Sequence, residues 1–217
     1  MKAPFSVEKA HRIQLQLSKH IISKNMLPEK IKLVAGVDVA YKKEKSIGAV
    51  VVLEYDSLKV VESRTVLLET CFPYIPTLLS FRETPPTVLS IRKLETQPDV
   101  FLVDAQGFAH PYRCGFASHL GLVIGKPTIG VAKSKLFGEV EESRVQRDVT
   151  FLKDKGQIIG AVVTTKHESK PVYVSVGHMV SLETAIKIVK HCICNNRIPE
   201  PILKAHELAT LKKREIK

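Results

Sequence analysis

Two aspartates stand where a carboxylate needs a special partner. Asp38 interrupts the alternating apolar segment 33–40 and shares a strand face with small and apolar residues. Asp104 directly follows the continuous apolar run 100–103, which is typical of a short parallel strand that is buried on both faces. An ionised carboxylate in such surroundings is costly unless it is paired or bound to a metal ion. For Asp38 alone, a strand-end aspartate that accepts backbone N–H groups is the alternative.

A metal site is predicted if these two strands are neighbours in one sheet. Asp104 then lies beyond the carboxyl end of a parallel strand, where open α/β sheets bind ligands, and Asp38 converges on it. Two nearby carboxylates repel each other, and a divalent cation is the commonest way in which a protein keeps both ionised. Oxygen ligands with phosphate as the other partner favour Mg²⁺, or Mn²⁺ in its place, over zinc.

Three further ionisable residues are candidates for the same site. Lys133 closes the apolar run 127–132, where a lysine is usually solvated but would stabilise negative charge beside a metal-bound phosphate. His206 shares a predicted helix face with apolar residues, which is the ordinary pattern of a half-buried structural histidine. Glu83 is predicted at the end of the helix that follows Pro76, where an Arg82-Glu83 pair is more often a solvated surface feature, and spacing alone does not select it.

An aromatic and a β-branched residue stand between two prolines in the segment Pro73-Tyr74-Ile75-Pro76. The prolines restrict the backbone, so the segment is stiff. A stiff segment of this kind suits a wedge or a stacking platform for bases, since each base stacked on an aromatic ring is worth about 1 to 3 kcal/mol. A loop that covers the core is the alternative.

The elements that must position these residues are those of a mixed sheet covered by helices. Residues 6–24 have apolar side chains at helical spacing and predict an amphipathic first helix. Three β-branched segments, separated by short polar turns, predict strands over 31–40, 47–55 and 59–68. Connections this short join only antiparallel neighbours.

The rest of the chain alternates helices with strands. Thr84-Pro85-Pro86 predicts a break in the helix after Pro76, with a second helix that begins at Thr84 and runs to about Leu94. The remaining predicted elements are strands over 100–103, 127–132, 157–165 and 172–176 and helices over 115–124, from Ser181 and after Pro201. The predicted fold class is therefore α/β, with three antiparallel strands followed by parallel strands, in one domain over residues 1–217.

Composition narrows the class of partner. The 217 residues are 44% hydrophobic, enough for a sizeable core, and 33 Lys+Arg against 22 Asp+Glu give a formal charge of +11. This charge favours polyanions, nucleic acid first. The four cysteines lack zinc or disulfide spacing, and no apolar run reaches the roughly 18 residues of a membrane span. We therefore expect a soluble, cytoplasmic protein with no membrane partner. We also expect a monomer, although the sequence leaves the oligomeric state open.

Several blocks of sequence carry a family resemblance when they are taken in order. They are residues 34–38, 73–76, 79–83, 104–107, 109–111, 117–121, 127–133, 174–178, 197–201 and 205–206. In this order they resemble the endonuclease V family of the ribonuclease H-like superfamily. One block would be weak evidence, but several in family order do not arise by chance.

The resemblance implies a ribonuclease H-like mixed sheet and a reaction. The family hydrolyses the second phosphodiester bond 3′ to a deaminated purine, chiefly inosine, and leaves the base in place. By this resemblance, Asp38 and Asp104 would hold the catalytic Mg²⁺, with Glu83 as the nearby acid. Lys133 and His206 would align water or stabilise the phosphate.

The resemblance also implies how the lesion is bound. Tyr74 would belong to a wedge, formed by residues 73–76, that separates the strands beside the lesion. A separate pocket, built from glycine-rich backbone near Gly107 and Gly121 and next to His110, would take the flipped base.

Four positions depart from the family pattern. Thr77 and Ala105 replace glycines, Tyr112 is inserted into the usual His-Pro-Arg, and Val176 replaces a proline. Ala105 bears on how closely its loop approaches the base, because alanine resists positive φ where glycine does not.

Other functions explain part of the sequence. A ribonuclease H-like module that only binds nucleic acid would lack a metal carboxylate, whereas Asp38, Glu83 and Asp104 are all present. A general structure-specific nuclease would not explain the rigid segment 73–76. An inosine-specific ribonuclease stays open, because no residue decides between DNA and RNA.

Overall fold

Nine strands pair into one mixed sheet in the computed structural model, which describes residues 6–140, 148–166 and 169–216. The strands are β1 (Leu33–Lys42), β2 (Lys45–Glu54), β3 (Val60–Glu69), β4 (Val100–Val103), β5 (Thr128–Ala132), β6 (Glu139–Val140), β7 (Val149–Asp154), β8 (Gln157–Val163) and β9 (Val172–His178). The helices of the described residues are α1 (Val7–Ser18), α2 (Leu79–Ile91), α3 (Phe116–Ile124), α4 (Leu182–His191) and α5 (Glu200–Glu215).

The order of the strands across the sheet is β3-β2-β1-β4-β5-β9-β8-β7-β6. The first three strands of the chain are antiparallel neighbours, whereas β4 and β5 continue the sheet parallel to β1. The later strands are antiparallel again. The predicted mixed sheet is therefore confirmed, including the parallel central part that brings strand ends together.

Both faces of the sheet are covered by helices. One core cluster joins Leu102 of β4 to Ile188 of α4 and Ile202 of α5. A second cluster joins Phe101 of β4 to Leu120 of α3, and it includes residues of α2. Because neighbouring residues of β4 face opposite clusters, its apolar run is continuous, as expected for a strand buried on both sides.

The predicted break in the second helix is wrong. α2 continues through Pro85 and Pro86, and Thr84 is a buried residue inside it. The helix lies directly on β2, where Gly48 leaves room: a Cβ there would come within 2.4 Å of the Pro86 carbonyl oxygen. The free energy gained by burying this face of α2 exceeds the cost of the two backbone hydrogen bonds that Pro85 and Pro86 cannot donate. Glu83 consequently lies inside a buried helix and not at its end.

The first helix is shorter than predicted and ends at Ser18. The chain after it pairs with the segment that follows β9: the Met179 N–H donates to the Ile22 carbonyl oxygen, and the Met26 N–H donates to the Met179 carbonyl oxygen. These backbone hydrogen bonds replace the helical bonds that residues 19–24 would have made. β6 and β7 are absent from the predicted strands, since one has two residues and the other lacks strict alternation.

Within the described part of the chain, no helix combines the length and the apolar character needed to cross a bilayer. Cys114 and Cys192 are buried free thiols, and Cys71 and Cys194 are exposed free thiols.

Candidate active site

The two aspartates lie side by side where the parallel pairing of β1 with β4 ends. Val37 of β1 is paired with Val103, the last residue of β4, so the next residues are Asp38 within β1 and Asp104 directly after β4. The Asp104 N–H donates to the Val37 carbonyl oxygen at 3.2 Å, which fixes this register. The predicted convergence of the carboxylates therefore follows directly from the pairing of β1 with β4.

Asp38, Asp104 and His206 together form a cluster of three possible ligand atoms, here called the acidic cluster. One atom each from Asp38, Asp104 and His206 lies within 4.8 Å of the other two. The Asp38 Oδ2 is 2.7 Å from the His206 Nδ1, and its Oδ1 accepts the Val39 N–H at 2.8 Å. Asp38 thus binds a backbone amide, as in the structural alternative, and also faces the cluster with its second oxygen.

Helix α5 positions His206 next to the aspartates because Gly36 of β1 lets the helix pack closely on this strand. A Cβ at Gly36 would fall 1.9 Å from the Pro201 carbonyl oxygen and 2.6 Å from the Ile202 nitrogen. Ile202 and the small residues of α5 that follow it are fully buried, whereas the His206 side chain is 53% exposed at the rim. The histidine therefore lies at the open side of the cluster.

Glu83 is the third carboxyl group of the site. It is only 8% exposed, and its Oε1 accepts the Tyr41 hydroxyl at 3.3 Å. Burial raises the pKa of Glu83 well above its ordinary value, and the negative charges of Asp38 and Asp104 raise it further. Burial and the charge of Asp38 also raise the pKa of Asp104, although Lys133 opposes this shift.

These carboxyl groups and the imidazole fit a divalent cation. Besides burial, the neighbouring carboxylates raise the pKa values of Glu83 and Asp104, and a bound cation would relieve this repulsion. Two carboxylates and one imidazole supply oxygen and nitrogen donors that suit a divalent metal ion. The cluster can therefore bind a metal.

Lys133 reaches the cluster from the end of β5. Its Nζ donates to the Asp104 Oδ2 at 2.5 Å, and its side chain is 41% exposed. Half-exposed and paired, the ammonium group can turn toward an anion that enters from solvent. This position agrees with the sequence-based expectation that Lys133 lies beside Asp104.

A cavity of 680 Å³ opens over the cluster, and sequence reasoning missed part of its wall. Besides the predicted residues it is lined by Tyr41, Lys42, Thr210, Lys213 and Arg214. The signal for three of these residues was their helical spacing from His206, since positions four, seven and eight along a helix share its face. The cavity therefore has acids at its base and basic groups at its rim.

The arginine before Glu83 contacts Tyr41, which lines the cavity over the site. The Arg82 guanidinium lies 4.3 Å from the centre of the Tyr41 ring, and its Nη1 donates to the Phe72 carbonyl oxygen at 2.9 Å. The expectation of a solvated Arg82-Glu83 pair is therefore wrong, because both side chains contact buried or half-buried groups.

The segment 73–76, here called the wedge segment, stands next to a second cavity of 370 Å³. Tyr74 is 71% exposed, and the Leu78 N–H donates to the Ile75 carbonyl oxygen at 3.0 Å, which closes a turn behind the segment. Tyr74, Ile75, Pro76 and His110 line this cavity, and Asp104 and Lys133 line both cavities. The acidic cluster and the wedge segment are therefore contiguous.

The two glycines that sequence reasoning placed near the base pocket serve close packing in the structure. A Cβ at Gly107 would lie 2.2 Å from the Val176 carbonyl oxygen, and one at Gly121 would lie 2.2 Å from the Thr128 hydroxyl oxygen. Neither glycine lines the second cavity, whereas Ala105 does. Among the described residues, Ala105 does not have positive φ, so the alanine fits its loop without backbone strain.

Comparison with known proteins gives one consistent result. The sequence model of the family Endonuclease V matches residues 15–207. A protein named Endonuclease V from Thermofilum pendens is 44% identical over 207 residues, which cover 95% of this chain and 88% of the relative.

Solved structures agree with this result. Endonuclease V from Streptomyces avermitilis has a TM-score of 0.90 and 36% identity, and the match covers 98% of this chain and 95% of that one. Endonuclease V from Ciona intestinalis, solved with a 24mer DNA containing an inosine followed by a ribo-adenosine, has a TM-score of 0.87 and 34% identity. That match covers 97% of this chain and 99% of the other. The mixed sheet described above is the ribonuclease H-like fold of these structures.

Proposed function

The chain belongs to the endonuclease V family, and from this premise we propose that it cuts the second phosphodiester bond 3′ to a deaminated purine, chiefly inosine. As a member of this family it is a nuclease that hydrolyses phosphodiester bonds in DNA. The proposed product is a nick with the altered base still attached to its sugar.

One observation carries this proposal: the loop that begins at Asp104 borders both the acidic cluster and the cavity beside Tyr74. Enzymes that read a single base usually extrude it from the stack into a pocket. A nucleotide whose base entered the 370 Å³ cavity would have its backbone close to the acidic cluster. Recognition of a base and hydrolysis of a nearby phosphodiester are therefore compatible in one binding mode.

The cation we propose is Mg²⁺, with Mn²⁺ able to substitute. Asp38 and Asp104 would hold it, and Glu83 would lie beside it. When bound, the ion would polarise the phosphoryl oxygens and offset negative charge on the reacting phosphate. Burial and the neighbouring acids raise the pKa of Glu83, and the positive charge of a bound cation would oppose this shift.

The ionisable residues at the rim would act on the phosphate and on water. Lys133, now paired with Asp104 at 2.5 Å, would turn its ammonium group toward a phosphate oxygen. His206 is exposed to the larger cavity while its Nδ1 faces Asp38, so its ring is oriented to align an attacking water. Lys42, Lys213 and Arg214 would bind the neighbouring backbone phosphates.

Tyr74 would fill the space that the extruded base leaves. Extrusion from a paired duplex costs a few kcal/mol, and a ring that enters the stack offsets part of this cost. Tyr74 is exposed and stands between two prolines, so little backbone freedom is lost when it inserts. The wedge segment would therefore matter more for duplex than for single-stranded substrates.

The test uses an end-labelled DNA strand with one inosine, alone and in a duplex, and the same strand with adenosine as the matched control. We expect a single product with Mg²⁺, cut at the second bond 3′ to inosine, and none in EDTA or with adenosine. Asp38→Asn should remove cleavage and retain some binding of the inosine strand. A product of another length, or cutting of the adenosine strand at the same rate, would contradict the proposal.

An inosine-specific ribonuclease is the second candidate, and one observation favours keeping it. The Ciona intestinalis relatives were solved with DNA in which a ribo-adenosine follows the inosine. A competition between single-inosine DNA and RNA strands in one reaction shows which of the two substrates the protein prefers.

We also propose that the protein is cytoplasmic and monomeric.

A further inference from the structure

A strained residue directly follows the wedge segment. The φ of Thr77 is +70°, which places a β-branched residue in the left-handed region that favours glycine. Such a conformation persists only where neighbouring groups fix it. The groups that fix Thr77 therefore also determine where the wedge segment stands.

Three contacts fix Thr77 from two distant parts of the chain. The Gln14 Nε2 donates to the Thr77 carbonyl oxygen at 2.8 Å, and the His110 Nε2 donates to the same oxygen at 3.0 Å. The His11 Nε2 lies 3.0 Å from the Thr77 hydroxyl oxygen. Since His11 and Gln14 belong to α1 and His110 to the loop between β4 and α3, two separate elements hold Thr77.

His110 is a neutral histidine in this cluster, and its tautomer follows from its partners. Burial lowers the pKa of His110 to about 4, so the ring carries one N–H near neutral pH. A carbonyl oxygen only accepts, so that hydrogen is on the Nε2 and points at Thr77. The Nδ1 then accepts the Tyr112 N–H at 3.2 Å. One tautomer thus fixes both Thr77 and Tyr112.

Tyr112 stacks on His11 and completes the set of contacts around Thr77. The two ring centroids are 4.0 Å apart, with an angle of 17° between the planes. Thr77 and Tyr112 are two of the four departures from the family pattern, and both contact His11. Thr77, which replaces a glycine, and the inserted Tyr112 are therefore joined through His11.

We propose that His11, Thr77 and Tyr112, together with Gln14 and His110, form a clamp that positions the wedge segment for insertion beside the lesion. The clamp rests on the proposed role of the wedge segment. His11 and Tyr112 line neither cavity, so they act through Thr77 and are positioning residues.

The clamp has a substrate-dependent consequence. Insertion into a duplex requires the wedge segment to be held in place while a base pair opens, and holding it in advance lowers the entropic cost. A flexible single strand needs less help. Loss of the clamp should therefore lower kcat/KM on duplex DNA more than on single-stranded DNA.

The test compares kcat/KM on the same inosine strand, single and in a duplex, together with the melting temperature of each variant. We expect His11→Ala and Thr77→Val to lower the ratio of duplex to single-strand kcat/KM by about 3- to 10-fold, the range of one ordinary hydrogen bond. Thr77→Ser should keep the ratio, because it keeps the hydroxyl. His20→Ala is the matched control, since His20 is exposed beyond the end of α1.

Thr77→Gly separates positioning from stability. Glycine adopts φ near +70° without strain, so the melting temperature should hold or rise, while the duplex ratio should fall because the contact with His11 is lost. The double variant His11→Ala/Thr77→Val should lose no more than either single variant. A lower melting temperature with equal losses on both substrates would overturn the clamp.

Tyr74→Ala in the same assay distinguishes failure of the clamp from failure of the wedge. A lower duplex ratio for Tyr74→Ala with a wild-type ratio for His11→Ala and Thr77→Val would overturn the clamp alone. A wild-type ratio for Tyr74→Ala would overturn the wedge and the clamp together. In either case, mapping of the cleavage product tests separately whether the protein cuts next to inosine.

Discussion

Gly36→Ala should displace His206 from the acidic cluster without touching any group of the site. The new Cβ would lie 1.9 Å from the Pro201 carbonyl oxygen, whereas ordinary contact begins at 3.4 Å. The contacted atoms are backbone, so no side-chain rotation relieves the overlap. Helix α5 must therefore move away from β1 by about 1.5 Å, the difference between these two distances.

A displacement of this size breaks the contact between His206 and Asp38. His206 lies on α5, and its Nδ1 is 2.7 Å from the Asp38 Oδ2 on β1. A shift of about 1 Å in a positioned group can cost about 100-fold in rate, and overpacking costs about 1 to 3 kcal/mol of stability. We expect kcat to fall by about this factor while the protein stays folded at the assay temperature.

The assay is single-turnover cleavage of the inosine strand with saturating enzyme and Mg²⁺, alongside thermal melting. Gly160→Ala is the matched control, because its Cβ would lie 2.8 Å from the Val174 carbonyl oxygen in a part of the sheet remote from α5. It should lose stability and keep its rate. If Gly36→Ala cleaves within about threefold of the wild-type rate, α5 does not position His206 through this contact.

Four further outcomes are expected. Asp104→Asn should lose cleavage by orders of magnitude and retain lesion binding, because it removes charge at the proposed cation; Mg²⁺-dependent cutting near the wild-type rate would show a structural role. Lys133→Ala should lower kcat by about 10- to 1000-fold with little change in KM, and a change confined to KM would argue against it. In EDTA, the raised pKa of Glu83 means that the folded state holds its proton above the ordinary value of 4.5, so stability is lost as pH rises. Glu83→Gln should therefore melt above wild type by a margin that widens with pH, and a constant margin would refute this. The affinity for duplex DNA should fall linearly with salt on logarithmic axes, with a slope of about −0.9 per phosphate contact, and a flat plot would exclude an extended basic surface.

The sequence predicts those features of the fold that depend on neighbouring residues. β1, β2 and β3 were recognisable because each carries β-branched residues and each turn between them is short. Asp38 and Asp104 were recognisable as a pair because Asp38 interrupts an apolar strand and Asp104 directly follows an apolar run, and the parallel pairing of β1 with β4 confirms their convergence.

The same local reasoning fails where packing decides the outcome. Pro85 and Pro86 predict a break, yet α2 continues because Gly48 lets it approach β2, and nothing near the prolines in sequence reveals that contact. The error extends to the site, since a helix that ended at Glu83 would leave this carboxyl group in solvent. Its burial, and with it the raised pKa, follows only from the continuous helix.

The local sequence pattern also cannot predict contacts between residues that are far apart in the chain. The surroundings of the wedge segment show why. His11 is 66 residues from Thr77, and His110 is 33 residues from it. A family comparison marks Thr77 and Tyr112 as separate departures, each unfavourable or unexplained alone. In the fold they share one partner, His11, so a threonine that is strained by itself becomes part of a connected set of hydrogen bonds and a stacked ring pair. Local strain at position 77 is therefore tolerated because tertiary contacts fix it, and only the folded chain brings those contacts together.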